Sequence, residues 1–259
     1  MEYELEIFTN YVRENYDLSD KVIYEKYEHS IRVWTLMINL GLALNLGKDD
    51  LYLASFIGLF HDLGRFREVV RNKDKEKKLN NLSFDHGAYS NKILFNDGLI
   101  HRFNVKEEDY LLIKKANFFH NKKDLGEGLT EKEKLFCQMI RDVDKLDLLF
   151  IRSSKRKLVF NGDISKIVLA NFLNNQTIDI RDLKTDSDRV IFYLSFIKEL
   201  TFDECFNFAI MNGYLERLIS VFDIQDRELF SLILKEVEER GKKNDGVKEK
   251  IRSLGSRKK

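Results

Sequence analysis

The chain has 259 residues, of which 43% are hydrophobic and 34% are charged, and its formal net charge is +1. This length can bury a substantial core, and the composition is that of an ordinary soluble globular protein. A net charge near zero gives no electrostatic reason to expect nucleic acid or an acidic membrane as a partner. Proline is absent, so helices can run without interruption.

The N-terminus and the cysteines predict a cytoplasmic protein. Residues 1–6 are acidic and lack a basic n-region, so no secretory signal is expected. No apolar run approaches the ~20 residues that a membrane helix requires. Cys137 and Cys205 are too few for a framework of several disulfides, which indicates a reduced compartment.

The spacing of apolar residues predicts an all-α fold, because three- and four-residue intervals dominate and strand-like alternation is scarce. Helices are expected near residues 4–15, 20–46, 49–62, 86–97, 106–120, 131–151, 164–174, 187–200, 202–211 and 213–240, the last broken near 223. Two segments, Thr130–Glu133 and Thr201–Glu204, have the Ser/Thr-x-x-Glu pattern of a helix-capping box.

Two polar segments interrupt this pattern. Residues 64–83 are rich in Arg, Lys and Asn and are predicted to form a long loop, which would be either functional or simply a solvated excursion. Residues 241–259 are rich in Lys and Arg and are predicted to be a disordered tail. Such a tail is more often a solubility feature than a nucleic-acid contact, and deleting it would abolish binding if it were one.

The expected domain organisation follows from these segments. Residues 1–240 are predicted to form a single all-α domain. Its metal-site portion covers about residues 20–151, and additional C-terminal helices cover about 164–240. No internal repeat is visible in the sequence.

Four of the five histidines occur in an ordered series along the predicted helices: His29, His61, His86 and His120. Asp62 follows His61 directly, and the acidic cluster 142–144 comes after the last histidine. Imidazole nitrogens and carboxylates gathered from separate helices are the donors that a transition-metal site needs. His101 has no such neighbours in the sequence and is expected to be a loop residue.

Each of these residues taken alone has a common non-functional explanation. His29 lies on an apolar helix face, where a single histidine is usually a hydrogen-bonded core residue. His86 and His120 lie at predicted helix ends, where capping or pairing of His86 with Asp85 at the surface would explain them. Their order and their placement on packed helix faces together favour a metal.

The acidic ligand after the histidines has three candidates. Asp144 shares its helix face with apolar residues, so its carboxylate is directed toward surroundings where burial without a partner is costly. Asp142 and Asp147 are alternatives that helical geometry does not separate from it.

At this point the sequence resembles the HD superfamily of metal-dependent phosphohydrolases. The segment Leu59–Phe66, with the sequence LFHDLGRF, is similar to the central motif of that superfamily, and Val143–Leu146 is similar to its terminal Ala-Asp-x-Leu element. The resemblance covers about residues 20–151 and favours Asp144 over Asp142. It implies an HD-type helical bundle with additional C-terminal helices.

The resemblance also bears on the branch of the superfamily. His86 and His120 resemble the two extra histidines of branches that hold two metals, such as the HD-GYP and diadenosine-tetraphosphate-hydrolase types. The Gly-Tyr-Pro element of the first type is missing, and so is the paired acidic motif that follows His-Asp in stringent-response hydrolases. The substrate therefore stays open.

The ligand set is implied by the resemblance. A first divalent ion would be held by His29, His61, Asp62 and Asp144. A second ion would share Asp62 with the first and take His86 and His120 as its own ligands. The four imidazoles favour Fe, Mn, Co, Ni or Zn over Mg. If only one ion binds, His86 and His120 could instead bind the substrate phosphate as cations.

The predicted catalytic residues are Asp62, Arg65 and Lys145. Asp62 would bridge the ions that activate a metal-bound hydroxide. Arg65 and Lys145 would neutralise the charge on the phosphoryl oxygens. Arg67 and Lys122 are looser candidates for the same role.

The sequence thus predicts an enzyme that hydrolyses a phosphoester of a nucleotide or related small molecule. Cleavage of a mono- or a diester, and the oligomeric state, are left open. The alternative is a non-catalytic, metal-stabilised helical module that binds a nucleotide or a protein partner. No P-loop, Rossmann glycine pattern, nucleophile elbow or Cys-x-x-Cys motif supports a covalent or dinucleotide mechanism.

Overall fold

Helices make up every regular element in the computed structural model, which describes residues 1–73, 84–155, 158–221, 227–241 and 244–256. No strand occurs within these residues, and the predicted all-α fold is confirmed. Contacts divide the chain into two compact units, Met1–Asp144 and Lys145–Lys259, and each is described by itself. The single domain expected over residues 1–240 stays a prediction.

Within its described residues, the first unit contains six α-helices and most of a seventh. They are α1 (Glu2–Asn15), α2 (Lys21–Ala43), α3 (Lys48–Phe60), α4 (Leu63–Lys73), α5 (His86–Asn91), α6 (Tyr110–Phe119) and α7 (Glu131–Phe150). A π-helical segment, Lys92–Asn96, continues α5, and a short 3₁₀ turn, Glu107–Asp109, precedes α6. The boundary between the units falls inside α7.

The predicted loop over residues 64–83 is wrong in its first half. Leu63–Lys73 form α4, and residues 74–83 lie outside the described part of the chain. Leu63, Phe66 and Val69 recur every three residues and are at most 9% exposed, so they give this helix an apolar face. The basic residues between them occupy the other faces of the helix. Because these residues are numerous, the segment has the composition of a polar loop although its apolar spacing is helical.

The core of the first unit is aromatic around the end of α3. Phe60 lies at the centre, with ring centroids 4.6 Å from Phe56, 4.9 Å from Phe103 and 5.8 Å from Phe8. The close contact of α2 with α3 depends on Gly58, where an added Cβ would lie 3.1 Å from the Cα of Trp34. This close approach brings His29, on α2, toward the end of α3.

The described part of the second unit contains the end of α7 and six further α-helices. They are α8 (Lys166–Leu173), α9 (Asp186–Glu199), α10 (Asp203–Met211), α11 (Tyr214–Ile219), α12 (Arg227–Gly241) and α13 (Asp245–Ser256). Val190, Leu194, Phe206 and Leu215 are among the core residues of this unit and are at most 1% exposed. The predicted break near residue 223 lies outside the described residues.

The predicted disordered tail is wrong over residues 245–256, which form α13. Val247, Ile251 and Leu254 are spaced by four and three residues and are at most 4% exposed. This apolar stripe stabilises the helix against the rest of its unit. The Lys and Arg residues that suggested disorder lie between the stripe positions.

The two predicted helix-capping boxes have different outcomes. Thr130 and Glu133 form the predicted box, because the Glu133 amide donates to the Thr130 hydroxyl at 3.2 Å and the Thr130 amide donates to the Glu133 carboxylate at 2.8 Å. The box at Thr201 is wrong, since α10 begins one residue later, after Phe202. A box that was not predicted, Thr185 with Asp188, starts α9.

Within the described residues, no helix combines the length and the apolar character needed to cross a membrane.

Candidate metal centre

The turn between α3 and α4 places His61 and Asp62. α3 ends at Phe60, and the His61 amide continues its hydrogen bonding by donating to the Ile57 carbonyl at 2.9 Å. α4 begins at Leu63. Both side chains are buried, with His61 0% and Asp62 3% exposed. Because the chain turns between them, the two residues are not restricted to the spacing of one helix face.

Two glycines bring the neighbouring helices into backbone contact beside this turn. An added Cβ on Gly64 would lie 2.2 Å from the His86 carbonyl oxygen, and one on Gly87 would lie 2.4 Å from the Asn117 carbonyl oxygen. Neither distance leaves room for a side chain. Gly64 was expected to begin the polar loop, but it lies within α4 and allows the start of α5 to approach.

Ser90 joins the same backbone segments by hydrogen bonds. Its hydroxyl accepts from the Gly64 amide at 2.9 Å and lies 2.7 Å from the His61 carbonyl and 2.9 Å from the His86 carbonyl, to which it can donate. The residue is fully buried. One side chain thus fixes the positions of two histidine backbones.

The tautomers of His61 and His120 follow from their hydrogen bonds. The Nδ1 atom of His61 lies 2.9 Å from the Gly58 carbonyl, and the Nδ1 atom of His120 lies 2.6 Å from the Asn117 carbonyl. A carbonyl oxygen only accepts, so each Nδ1 carries the proton. Each Nε2 therefore presents a lone pair, and this is the usual arrangement of a histidine that ligates a metal.

Asp62 directs its two oxygens to different histidines. Its Oδ2 lies 3.5 Å from the Nε2 atom of His29, and its Oδ1 lies 3.3 Å from the Nε2 atom of His120 and 3.5 Å from that of His86. The carboxylate therefore stands between two groups of imidazoles.

His29 and Asp144 complete one side of the cluster. His29 is 4% exposed on α2, and its Nε2 lies 3.3 Å from the Asp144 Oδ1. The side chain of Asp144 is 21% exposed. One potential ligand atom from each of His29, His61 and Asp144 lies within 4.8 Å of the others, and the same holds for His61, Asp62 and His120.

His86 lies inside the cluster rather than at the surface. It is 6% exposed at the first position of α5, and its Nε2 is 3.1 Å from the Nε2 of His120. The pairing of His86 with Asp85 at the surface is therefore wrong. The Asp85 carboxylate instead caps α5 by accepting from the Ala88 amide at 3.1 Å.

A divalent cation would satisfy the buried polar atoms that this packing leaves without a hydrogen-bond partner. Among the described residues, the buried His61 Nε2 and Asp62 Oδ1 find no hydrogen-bond partner. The 3.3 Å contact between Asp62 Oδ1 and His120 Nε2 joins two acceptors, because the proton of His120 is on Nδ1. Buried acceptors that face each other are costly unless a positive charge lies between them.

The pKa values suit metal binding. Burial lowers the pKa of His61 to about 4 and that of His86 to about 3. Burial acts to raise the pKa of Asp62, but the nearby Arg65 charge and the imidazoles hold it well below its usual range. At neutral pH His61 and His86 are therefore uncharged and Asp62 is ionised, which are the forms in which these groups ligate a metal.

Three of the four predicted cationic residues, Arg65, Lys145 and Lys122, have acidic partners. Arg65 Nε donates to Asp62 Oδ2 at 3.4 Å, and Arg65 Nη1 donates to Glu68 Oε2 at 2.6 Å. Lys145, which belongs to the second unit, pairs with Glu199 at 2.9 Å. Lys122 pairs with Asp85. Arg67 is exposed.

The remaining candidates lie elsewhere. Asp142 and Asp147 are each 1% exposed, but neither belongs to a ligand group found among the described residues. His101 is exposed on a 3₁₀ turn rather than an irregular loop.

Several residues at the centre were missed in the sequence. Glu68 lies one turn after Arg65 on α4, and its Oε2 is 3.6 Å from the Nδ1 of His86. Asn121 directs its side-chain amide nitrogen to the Nε2 of His86 at 3.1 Å. Arg141 donates to the carbonyl oxygen of Phe119 at the end of α6 and to two carbonyl oxygens of the segment that follows it. Glu68 could have been found only by recognising α4 as a helix.

Comparison with known families matches residues 27–149 to a family described as the HD domain. Neither the curated proteins nor the solved structures gave a match.

Proposed function

The chain belongs to the HD superfamily through residues 27–149, and from this membership we propose that it hydrolyses a phosphoester of a nucleotide or related small molecule. The superfamily consists of metal-dependent phosphohydrolases. The observation that carries the proposal is the convergence of four buried histidines on both oxygens of Asp62. A structural metal would not need so many donors, because four ligands close a structural site.

The ligands divide into two sets around Asp62. His29, His61, Asp62 and Asp144 would hold the first ion. Asp62, His86 and His120 would hold the second. The geometry supports a bridging Asp62, since its Oδ2 faces His29 and its Oδ1 faces the other pair. The nitrogen-rich donors favour Fe, Mn, Co, Ni or Zn over Mg.

Bound divalent ions supply a water of lowered pKa and positive charge near the phosphoryl oxygens. Asp62 would fix the positions of both ligand sets because both share its carboxylate. The carbonyls of Gly58 and Asn117 would keep His61 and His120 in the tautomer that presents Nε2. The protein therefore contributes a donor set that is already oriented before substrate binds.

Arg65 is proposed to contact the substrate while it orients Asp62. Its Nε and Nη1 donate to carboxylates, which leaves other N–H groups of the guanidinium for phosphoryl oxygens. Its side chain is 29% exposed, so substrate can reach it. Lys145 keeps its proposed role because it follows the ligand Asp144 directly in the chain.

The experiment combines metal analysis with a hydrolysis screen. Full-length protein purified without chelator or metal-affinity resin is analysed for Mn, Fe, Co, Ni and Zn, and is also reconstituted with each. We expect at least about one ion per chain and metal-dependent release of phosphate or of a monoester from nucleotides. Nucleoside monophosphates, cyclic dinucleotides and dinucleoside polyphosphates distinguish monoester, diester and anhydride cleavage.

Two outcomes would overturn the proposal. Protein that stays metal-free after reconstitution would exclude a metal centre. Protein that binds metal and nucleotide but turns over none of these compounds with any of the five metals would favour the non-catalytic, metal-stabilised module.

A further inference from the structure

His86 differs from His61 and His120 in how its Nδ1 atom is held. His61 and His120 each donate from Nδ1 to the carbonyl three residues earlier in their own helix. His86 is the first residue of α5, so no earlier turn of that helix supplies a carbonyl. Another group must select its tautomer if Nε2 is to ligate a metal.

The contacts of the His86 ring indicate which group selects its tautomer. Nε2 faces Asp62 Oδ1 at 3.5 Å, His120 Nε2 at 3.1 Å and the Asn121 amide nitrogen at 3.1 Å. The same Asn121 nitrogen lies 3.4 Å from Nδ1, and Glu68 Oε2 lies 3.6 Å from Nδ1. Asn121 Nδ2 can only donate and lies closer to Nε2, so that contact makes Nε2 an acceptor. The proton then resides on Nδ1, beside the Glu68 carboxylate.

Glu68 is itself fixed by the residue that orients Asp62. Arg65 Nη1 donates to Glu68 Oε2 at 2.6 Å, one turn apart on α4, and Arg65 Nε donates to Asp62 Oδ2 at 3.4 Å. The side chains of Asp62, Arg65, Glu68 and His86 therefore form a closed ring of contacts. The Glu68 side chain is 19% exposed, so water screens this ring only partly.

We propose that Glu68 is the positioning residue of His86. Its carboxylate attracts the Nδ1 proton, selects the tautomer in which Nε2 carries the lone pair, and holds the ring toward Asp62. A carboxylate behind a ligating histidine is a common way to orient the ring and increase its basicity. The proposal rests on the proposed function, because it assumes that His86 ligates a second ion.

The test uses three variants of the full-length protein. Glu68→Ala removes the carboxylate, Glu68→Gln keeps a neutral acceptor of the same size, and Glu14→Gln removes an exposed acid on α1. Two readouts are independent of turnover. Long-range ¹H–¹⁵N NMR of the ring nitrogens reports the His86 tautomer in metal-free protein, and titration with Mn²⁺ or Co²⁺ reports the affinity and number of bound ions.

We expect wild-type His86 to be protonated on Nδ1 and Glu68→Ala to shift it toward a mixture of tautomers. Glu68→Ala should weaken the second ion about 10- to 100-fold while the first ion is retained. Glu68→Gln should be intermediate, since its amide oxygen can still accept, and Glu14→Gln should match the wild type. Circular dichroism and thermal unfolding identify any variant that fails to fold, in which case Glu68→Gln carries the test.

The proposal is overturned if Glu68→Ala, or Glu68→Gln where the alanine variant does not fold, leaves both the tautomer and the second-ion affinity unchanged. A wild-type chain that binds only one ion also overturns it, whereas the phosphohydrolase proposal would survive that result. A wild-type chain that binds no ion removes the proposed function as well. These outcomes separate a failure of the Glu68 assignment from a failure of the metal centre.

Discussion

The Nε2 atoms of His86 and His120 lie 3.1 Å apart, although 34 positions separate the two residues in the chain. One residue begins α5 and the other follows the end of α6, and both are at most 7% exposed. The hydrogen bond from His120 Nδ1 to the Asn117 carbonyl places a lone pair on the Nε2 of His120, and the proposed tautomer of His86 would place a second one opposite it. Two lone pairs at this distance would repel each other, and a shared cation would convert the repulsion into binding.

The first prediction concerns the number of ions. His120→Ala should lose one of two bound ions and retain the ion held through His29, His61 and Asp144. Elemental analysis after reconstitution with Mn²⁺ measures this ratio. His101→Ala is the matched control, because it removes an exposed histidine outside the cluster. Equal metal content in His120→Ala and wild type would contradict a second site.

The second prediction concerns Asp62, the residue shared by both ligand sets. Asp62→Ala should reduce turnover at least about 10²-fold, since it removes the group that fixes both sets. The fold should be retained because the aromatic core around Phe60 does not depend on the carboxylate. Steady-state rates and far-UV circular dichroism measure the two effects, with the exposed Asp124→Ala as control. Undiminished turnover in folded Asp62→Ala would contradict the assignment.

The third prediction uses the close approach at Gly64. Gly64→Ala places a Cβ that would lie 2.2 Å from the His86 carbonyl, so α4 and α5 must separate. We expect a loss of about 1–3 kcal/mol in the free energy of unfolding and weaker binding of the second ion. Urea unfolding and metal titration measure these changes. Gly47→Ala is the control, because a Cβ there meets nothing within 4 Å, and equal stability of the two variants would refute the argument.

The fourth prediction concerns Arg141, whose guanidinium holds the segment that follows α6. Nη1 donates to the Phe119 carbonyl at 2.9 Å and to that of Lys122, and Nη2 donates to the Lys123 carbonyl at 3.0 Å. Arg141→Ala should cost about 1.5–3 kcal/mol of stability and should weaken the ion bound through His120.

Two further variants make this prediction specific. Arg141→Lys should recover part of both losses, because its ammonium can still donate to some of the carbonyls. Arg13→Ala removes an exposed arginine of α1 and should change neither quantity. A loss of stability in Arg141→Ala without a change in metal affinity would restrict Arg141 to a structural role.

The fifth prediction concerns pH and the cap of α9. Burial acts to raise the pKa of Asp188, but hydrogen bonds from the Ser165, Lys184 and Thr185 amides and the Ser165 hydroxyl lower it. Because the pKa of Asp188 is lower in the folded than in the unfolded protein, its ionised carboxylate stabilises the fold above about pH 4. This stabilisation is lost as the pH falls through the folded pKa. Asp188→Ala should therefore cost about 1–2 kcal/mol at pH 7.

The stability difference between wild type and Asp188→Ala should shrink as the pH is lowered below about 4. Urea unfolding between pH 7 and pH 3 measures it. Asp163→Ala, which removes a more exposed acid of the same unit, should show a much smaller difference throughout. A difference for Asp188→Ala that does not vary with pH would mean that the carboxylate acts through its packing and not through its charge.

The helices were predictable because their apolar spacing is local. Most predicted helices occur within a few residues of their expected bounds, and His86 and His120 lie at the helix ends where they were expected. The two errors, α4 and α13, have one cause. In both segments basic residues surround a sparse apolar stripe, so the composition is typical of a solvated segment while the apolar spacing is that of a helix.

The sequence by itself determined the all-α fold and the order of histidines and carboxylates, because residue type and helical period are properties of neighbouring positions. Only the tertiary structure decided which nitrogens meet, since this depends on backbone contacts at Gly64 and Gly87 between segments distant in the chain. It also brought Glu68 to His86 and placed Asp144 beside His29. The tautomers of His61 and His120 follow from carbonyls three residues earlier in the chain, but His86 has no such carbonyl and meets Glu68 and Asn121 from distant segments. No one-dimensional pattern contains these distant contacts, because they arise only when the chain folds.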